Sequence, residues 1–205
     1  MLDLPSGLPA DIGPLSWLLG VWEGTGVIDY DAAGVRYTGE FRHRVSFSHD
    51  GGPFLNYAAT AAFLPEDAAP VPLVAETGFW RLSRPDDEAD AGPGLLPPTW
   101  AVGTSGPAPA PRTAEDVEAL RTPAGFAIEV SLAHSDGTME LYLGTANGPR
   151  IDIATDAVVR PAGARAYTAA SRMYGLVDGH LLWAWDVAAL GSELRSHASA
   201  RLAKV

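Results

Sequence analysis

The side chains in this sequence that could do chemistry are five histidines and a large number of carboxylates, because the chain contains no cysteine. The lack of cysteine excludes disulfides, thiolate nucleophiles and iron–sulfur clusters. No two histidines have the spacing of neighbours on a helix face or of an H-x-H pair on a strand, so a zinc site made only of protein ligands has weak support. The sequence has no G-x-S-x-G motif, and no spacing of serines or carboxylates singles out a hydrolytic triad or a glycosidase pair.

Four of the histidines have ordinary structural interpretations. His49, His134 and His180 flank turn sequences, which predicts polar surface or turn side chains. His43 alternates in phase with Phe41 and with the apolar residues that follow it, and it is expected to face the protein interior.

His197 lies in the stretch SHASARL near the end of the chain. In strict alternation Ala198 and Leu202 share one face, and His197 shares the other with Ser199 and Arg201. The pattern alone therefore predicts an ordinary strand histidine rather than a metal ligand.

Three glycines in the stretch GVWEGTG could suggest a phosphate-binding loop. A phosphate loop needs a G-x-x-x-x-G-K-[ST] pattern, and a dinucleotide fingerprint needs G-x-G-x-x-G before a helix. Here Gly20, Trp22, Gly24 and Gly26 form G-x-W-x-G-x-G, no lysine follows, and the next residues continue a strand. The glycines instead predict a bent strand or a close backbone approach of the kind that closes a small barrel.

The elements that would position these residues are mostly strands. Stretches such as FAIEVSL and HLLWAWDV alternate with a period of two. Turn sequences such as HDGGP, HSDGT, ANGPR and VDGH separate them at short intervals. This pattern predicts an all-β fold, an antiparallel meander that forms either a barrel or a sandwich.

Two regions depart from the strand pattern. Leu15, Leu18 and Leu19 have helical spacing, which predicts a short helical turn before a first strand that begins near Val21. We expect residues 1–13 to form an N-terminal extension and residues 14–205 to form a single domain.

The second region, residues 83–123, is rich in proline, glycine, alanine and acidic residues and is expected to be a partly flexible surface insertion. Thr113 is expected to cap a short helix within it. From its position alone, we expect the insertion to lie beside the barrel mouth and control access.

The formal net charge is −11, and the longest basic cluster is the short RHR at Arg42–Arg44. Such a surface repels phosphate backbones, so nucleic acid is not expected as a partner. The chain has no signal peptide pattern and no apolar run of membrane-spanning length, which predicts a cytoplasmic protein without a membrane partner. The expected assembly is a homodimer.

The residues by themselves lead to a ligand-binding barrel. One alternative is a carrier for a fatty acid or another apolar molecule, in which His197 and Arg201 contact a carboxylate. Another is a protein-binding role for the proline-rich stretch PAPAPR in the insertion.

Three longer stretches, taken in order, resemble the nitrobindin family. They are LLGVWEGTGVIDY near the start, FSHDGGPFLNYAAT followed by VAETGFWR in the middle, and LLWAWDVAALGSELRSHASARL at the end. The G-x-W-x-G-x-G of Gly20, Trp22, Gly24 and Gly26 matches that family's signature. The resemblance implies a compact ten-stranded antiparallel β-barrel, similar to lipocalins and fatty-acid-binding proteins, with one ferric haem b per subunit at an open end.

The resemblance also assigns residues to the haem site. His197 matches the family's axial iron ligand, and a hydrogen-bond partner for its other ring nitrogen is expected. Leu73 and Val74 stand where some relatives carry a histidine, which implies an apolar distal side. Arg165 stands where relatives commonly have a lysine, and it either pairs with a haem propionate or is a solvated loop arginine. The implied activity is isomerisation of peroxynitrite to nitrate by ferric haem, with reversible binding of nitric oxide.

Overall fold

The computed structural model describes residues 7–102 and 107–205, and in this part of the chain ten antiparallel strands close into a barrel. Each strand pairs with its neighbours in sequence, and the first pairs with the last. The strands are β1 (Gly20–Ala32), β2 (Val35–Ser48), β3 (Phe54–Phe63), β4 (Val71–Leu82), β5 (Phe126–His134), β6 (Met139–Asn147), β7 (Arg150–Val159), β8 (Tyr167–Val177), β9 (His180–Ala189) and β10 (Arg195–Lys204). The predicted all-β, ten-stranded antiparallel barrel is confirmed.

The barrel core is formed by the period-two pattern of the sequence. On β5 the buried residues are Phe126, Ile128, Val130 and Leu132. The four predicted turns each join two consecutive strands, and Gly148 takes a φ of +58° in the Asn-Gly turn between β6 and β7. Glycine adopts this left-handed conformation without steric cost.

One end of the barrel, here called the closed end, is filled by a 3₁₀ helix over Ala10–Leu18. Its Ile12, Leu15 and Leu18 are fully buried. Trp22 is also buried there, and its indole Nε1 donates a hydrogen bond to the Leu18 carbonyl oxygen at 2.7 Å. The predicted helical turn is therefore present, although it begins at Ala10, within the predicted extension; residues 1–6 of that extension lie outside the described residues.

The glycines of the GVWEGTG stretch lie within β1, so the strand interpretation is confirmed. A Cβ added at Gly24 would overlap the carbonyl oxygen of Arg201, and one at Gly26 would overlap that of Ser199. These two glycines allow β10 to approach β1 closely where the barrel closes.

The segment between β4 and β5 lies at the closed end. Consecutive strands run in opposite directions, so alternate connections lie at opposite ends of the barrel. Arg84 Nε donates to Asp11 of the 3₁₀ helix at 2.7 Å, and Arg112 lies 3.6 Å from the same carboxylate. The expectation that the insertion lies beside the mouth is wrong, because the β4–β5 connection is on the opposite side. Residues 103–106 of it are outside the described residues.

Two short helices belong to this segment, α1 (Thr99–Val102) and α2 (Ala114–Glu118). The Thr113 hydroxyl accepts a hydrogen bond from the Asp116 backbone N–H at 3.2 Å, so the predicted N-cap is confirmed. Among the described residues, no helix has both the length and the apolar character needed to cross a bilayer.

Candidate functional site

A cavity of about 610 Å³ opens at the other end of the barrel, here called the mouth. This size is within the range of roughly 300–1,000 Å³ that is typical of small-molecule and cofactor sites. Most of its lining is apolar or aromatic, contributed by β1, β2, β3, β4, β9 and β10. Its titratable lining residues include His43, Glu76, His134, Arg165 and His197.

A β-bulge in β10 directs the side chain of His197 toward the cavity. In the pairing of β10 with β9, Ser196 lies opposite Asp186 and Ala198 opposite Trp185, which leaves His197 as the extra residue. His197 and Ala198 therefore both line the cavity, although they are consecutive. The prediction from strict alternation that His197 shares a face with Ser199 and Arg201 is wrong, because the bulge shifts the phase by one residue and leaves Ser199 and Arg201 exposed.

Two aromatic side chains hold the imidazole of His197 from its sides. The ring of Tyr30 lies 5.2 Å from it at 85°, and the ring of Trp185 lies 5.5 Å from it at 78°. Tyr30 is itself fixed, because its hydroxyl accepts from the Ala189 N–H at 3.1 Å and lies 3.3 Å from the Val187 carbonyl oxygen. These edge-to-face contacts orient the imidazole toward the cavity.

The chemistry of His197 fits the haem that the resemblance implies. Burial lowers the pKa of His197, which favours the neutral imidazole that iron binds. Its Nδ1 is buried and has no hydrogen-bond partner among the described residues, so Nε2 is the nitrogen available to the cavity. The expected partner for the other ring nitrogen is thus absent from the described part of the chain, because apolar and aromatic groups surround that side of the ring.

Beside the cavity lies a buried charge cluster of Glu76, Glu140, Arg172 and His134. The side chain of Arg172 is fully enclosed (0% exposed), and its two terminal nitrogens donate to Glu76 at 2.7 and 3.0 Å. Arg172 also donates to Glu140 at 3.2 Å. Burial by itself raises the pKa of Glu76, but the charge and hydrogen bonds of Arg172 outweigh it and hold this pKa at about 2.

His134 belongs to this cluster rather than to the surface. Its side chain is only 7% exposed, and its Nε2 lies 2.6 Å from Glu140 Oε2. The ring stacks on Trp185 with centroids 6.3 Å apart. The prediction of a surface or turn residue is therefore wrong. The signal was available, because His134 continues the inward phase of β5 by one more step.

The other predicted residues are distributed between the cavity and the rest of the barrel. Leu73, Val74 and Arg165 line the cavity near its mouth, and Arg165 is exposed in the β7–β8 connection. His43 is buried and lies 3.2 Å from the Thr60 carbonyl oxygen through Nδ1, so its predicted inward direction is confirmed. The motif residues Gly20, Trp22, Gly24 and Gly26 do not line the cavity.

One expectation about cavity chemistry needs correction. Arg201 points outward and donates to His180 at 3.0 Å, so it is not available to a ligand carboxylate in the cavity. Glu76 and His134 add polar groups to the cavity wall from β4 and β5, and the apolar distal side expected around Leu73 and Val74 stays a prediction.

Sequence reasoning missed Tyr30, Trp185, Glu76, Glu140 and Arg172 as parts of the site. Trp185 and Glu76 were visible as inward positions of alternating strands. Arg172 and Glu140 gave no local signal, because a buried charge is recognised only when its partners from other strands are known.

Comparisons with known proteins agree with the fold and the cavity. A family model described as THAP4-like, heme-binding beta-barrel domain matches residues 11–204. A peroxynitrite isomerase of Leifsonia xyli subsp. xyli is 58% identical over 205 residues, covering 100% of this chain and 99% of the relative. A peroxynitrite isomerase of Clavibacter michiganensis subsp. michiganensis is 53% identical over 206 residues, with 100% of both chains covered.

A solved structure supports the same architecture. The crystal structure of Rv2717c from M. tuberculosis superposes with a TM-score of 0.64 over 99% of both chains, at 24% sequence identity, which is evidence for the fold alone. The family model spans nearly the whole sequence, and the curated relatives match it from end to end. The chain therefore belongs to the THAP4-like haem-binding β-barrel family, the nitrobindin family.

Proposed function

We propose that this chain binds one ferric haem b in the mouth cavity through His197 and isomerises peroxynitrite to nitrate. The observation that carries the proposal is the bulge in β10. It directs the neutral imidazole of His197 toward a mostly apolar cavity of about 610 Å³. Relatives that match the whole chain at 58% and 53% identity carry the name peroxynitrite isomerase. Reversible binding of nitric oxide is part of the same proposal.

The residues of the cavity would have separate roles. His197 would supply the nitrogen that holds the iron, and Tyr30 and Trp185 keep its ring in orientation. Leu73 and Val74 would cover the edge of the macrocycle and exclude water, and Arg165 would pair with a propionate at the exposed rim. A bound ferric haem would supply Lewis-acid chemistry toward the anion. The chain itself then has to bind, orient and shield the reactants.

A haem titration tests the binding step. Ferric haem is added to purified haem-free protein while the Soret band is followed, for the native chain, His197→Ala and the control His180→Ala. His180 flanks an exposed turn and does not line the cavity, so its variant should titrate like the native chain. Equal Soret bands for native and His197→Ala would refute the assignment of the ligand.

Stopped-flow decay of peroxynitrite tests the reaction. The haem-loaded protein should act faster than free haem at equal iron concentration, with nitrate as the product. Equal rates would leave a haem-binding protein without isomerase activity. Nitric oxide binding is measured on the same sample from the change in the Soret band.

The homodimer and the cytoplasmic location belong to the proposal too. The outward face of β6 carries an exposed apolar row, Met139, Leu141 and Leu143, which supports self-association. Light scattering on a size-exclusion column should give twice the monomer mass, and Leu141→Lys should reduce it to that of the monomer.

A further inference from the structure

The two ring nitrogens of His134 have different surroundings. Nε2 lies 2.6 Å from Glu140 Oε2 and donates to it. Nδ1 makes no hydrogen bond to any described residue, and the carboxylate oxygen Oε1 of Glu76 lies 3.7 Å from it. The Nδ1 atom is not fully enclosed by protein, and the His134 side chain lines the cavity. This nitrogen is therefore open to the cavity.

The charge balance of the cluster favours a proton on both nitrogens. Glu76 and Glu140 contribute two negative charges and Arg172 one positive charge, so the cluster is neutral only when His134 is protonated. Burial lowers the pKa of His134, but the hydrogen bond to Glu140 and the charges of Glu76 and Glu140 outweigh burial, and the pKa is raised. The positive charge of Arg172 lowers the pKa of His134. Burying a cluster with a net charge costs free energy. The hydrogen-bond geometry and the charge balance therefore both favour a protonated His134.

Two further titratable residues act on this cluster. The charge of His43 contributes to lowering the pKa of Glu76. The charge of His134 likewise contributes to lowering the pKa of Asp136, which lies in the β5–β6 turn. Glu76 itself is occupied by Arg172 and by the Tyr57 hydroxyl, which donates to it at 3.1 Å. Its charge is therefore largely offset, and it does not prevent an anion from approaching His134.

We propose that the Nδ1–H of His134 donates a hydrogen bond to a small anion in the cavity and thereby makes the site prefer anionic over neutral ligands. In the proposed function, on which this inference rests, the anion is peroxynitrite or its product nitrate. Arg172 cannot replace His134 in this role, because it is fully enclosed and does not line the cavity. A charged donor in a mostly apolar cavity is stronger than the same donor in water.

The first experiment measures azide binding to the ferric haem-loaded protein from about pH 5 to about pH 8, the interval in which histidine titrates. In the native chain the affinity should fall as pH rises through the pKa of His134, because the charged donor is lost. His134→Gln should bind azide about 10-fold more weakly at the acidic end, with a flat pH profile, since a charge-assisted hydrogen bond is removed.

Matched controls separate this role from a general effect on the pocket. His180→Gln, a variant of an exposed turn histidine, should behave like the native chain. Binding of nitric oxide, a neutral ligand, to the ferrous form should be unchanged in His134→Gln. Unchanged azide affinity in His134→Gln, or equal losses for azide and nitric oxide, would overturn the proposal.

A second variant covers the case in which His134→Gln fails to fold. Glu140→Gln keeps the imidazole but removes the carboxylate that holds its charge. Its azide affinity should therefore decline at a lower pH than in the native chain. An unshifted profile would contradict the proposal.

The last measurement uses haem-free protein, so its result is independent of the proposed function. Nitrogen-15 resonances of the His134 ring should show both nitrogens protonated at the acidic end of the same pH interval, and added nitrate should shift Nδ1 more than Nε2. A neutral ring, or no response of Nδ1 to nitrate, would overturn the anion site even if haem binds. Loss of haem binding with a normal nitrate response would refute only the proposed function.

Discussion

The two ends of the barrel differ in how their polar groups are satisfied. At the closed end, the indole of Trp22 donates to the Leu18 carbonyl, and Arg84 pairs with Asp11. At the mouth, His43, Trp183, Trp185 and His197 each have a buried polar atom without a partner, four of the seven such atoms among the described residues. Buried polar groups normally find partners. The closed end also holds one unpartnered atom, Trp17 Nε1 of the 3₁₀ helix, so the two ends differ in degree. The closed end is filled by side chains that stabilise the fold, whereas the mouth encloses a cavity whose polar lining is only partly hydrogen-bonded.

The largest effect is expected from a pair of alanine variants, one at each end of the barrel. Trp22→Ala should lower the free energy of unfolding by about 3–5 kcal/mol, because it leaves a cavity in the core. His197→Ala should change the stability of the haem-free protein by less than about 1 kcal/mol, because it also removes an unpaired polar atom. Denaturant unfolding measures both. A larger loss for His197→Ala than for Trp22→Ala would reverse the contrast.

The charge cluster at the mouth predicts a pH dependence of stability. The pKa of Glu76 is lowered from 4.5 to about 2 in the folded state. The ionised Glu76 therefore contributes on the order of 3 kcal/mol to the free energy of unfolding above about pH 4.5. This contribution is lost as pH falls toward about 2. Unfolding measured at a series of acidic pH values should show this loss, and Glu76→Gln should flatten the curve. An equally steep curve in the variant would assign the acid sensitivity to other carboxylates.

The seam between β1 and β10 gives a smaller effect. Gly26→Ala places a Cβ against the Ser199 carbonyl oxygen and should cost about 1–3 kcal/mol, because the strands must move apart. Gly163→Ala is the matched control, since no heavy atom in the described structure lies within 4 Å of its Cβ position apart from those of its chain neighbours. Thermal unfolding compares the two variants. Equal melting temperatures would show that the seam tolerates the additional methyl group.

The smallest effect is expected from the cap of helix α2 at the closed end. Thr113→Ala removes the hydroxyl that accepts from the Asp116 N–H and should cost about 1 kcal/mol or less. Haem binding should not change, because Thr113 does not line the cavity. Thermal unfolding and a haem titration of the same variant check both statements. A weaker haem affinity would show that the two ends are coupled.

Local patterns in the sequence predicted the strands, the turns, the inward direction of His43 and the cap at Thr113. They were less successful where a strand departs from regular pairing or where the partners are distant. The bulge at His197 shifts the side chain by one position, and alternation cannot detect it. His134 was assigned to a turn although its phase on β5 pointed inward. The position of the insertion required the strand directions, which determine the end at which each connection lies.

The sequence by itself determined the class of fold and the family, because alternating strands, short turns and the stretches around Trp22 and His197 are local features. Tertiary structure alone decided which groups meet in the cavity. Arg172 lies 96 residues from Glu76 in the chain, yet the two side chains form two hydrogen bonds. Buried charges are stable only when such partners surround them, and barrel closure brings those partners together.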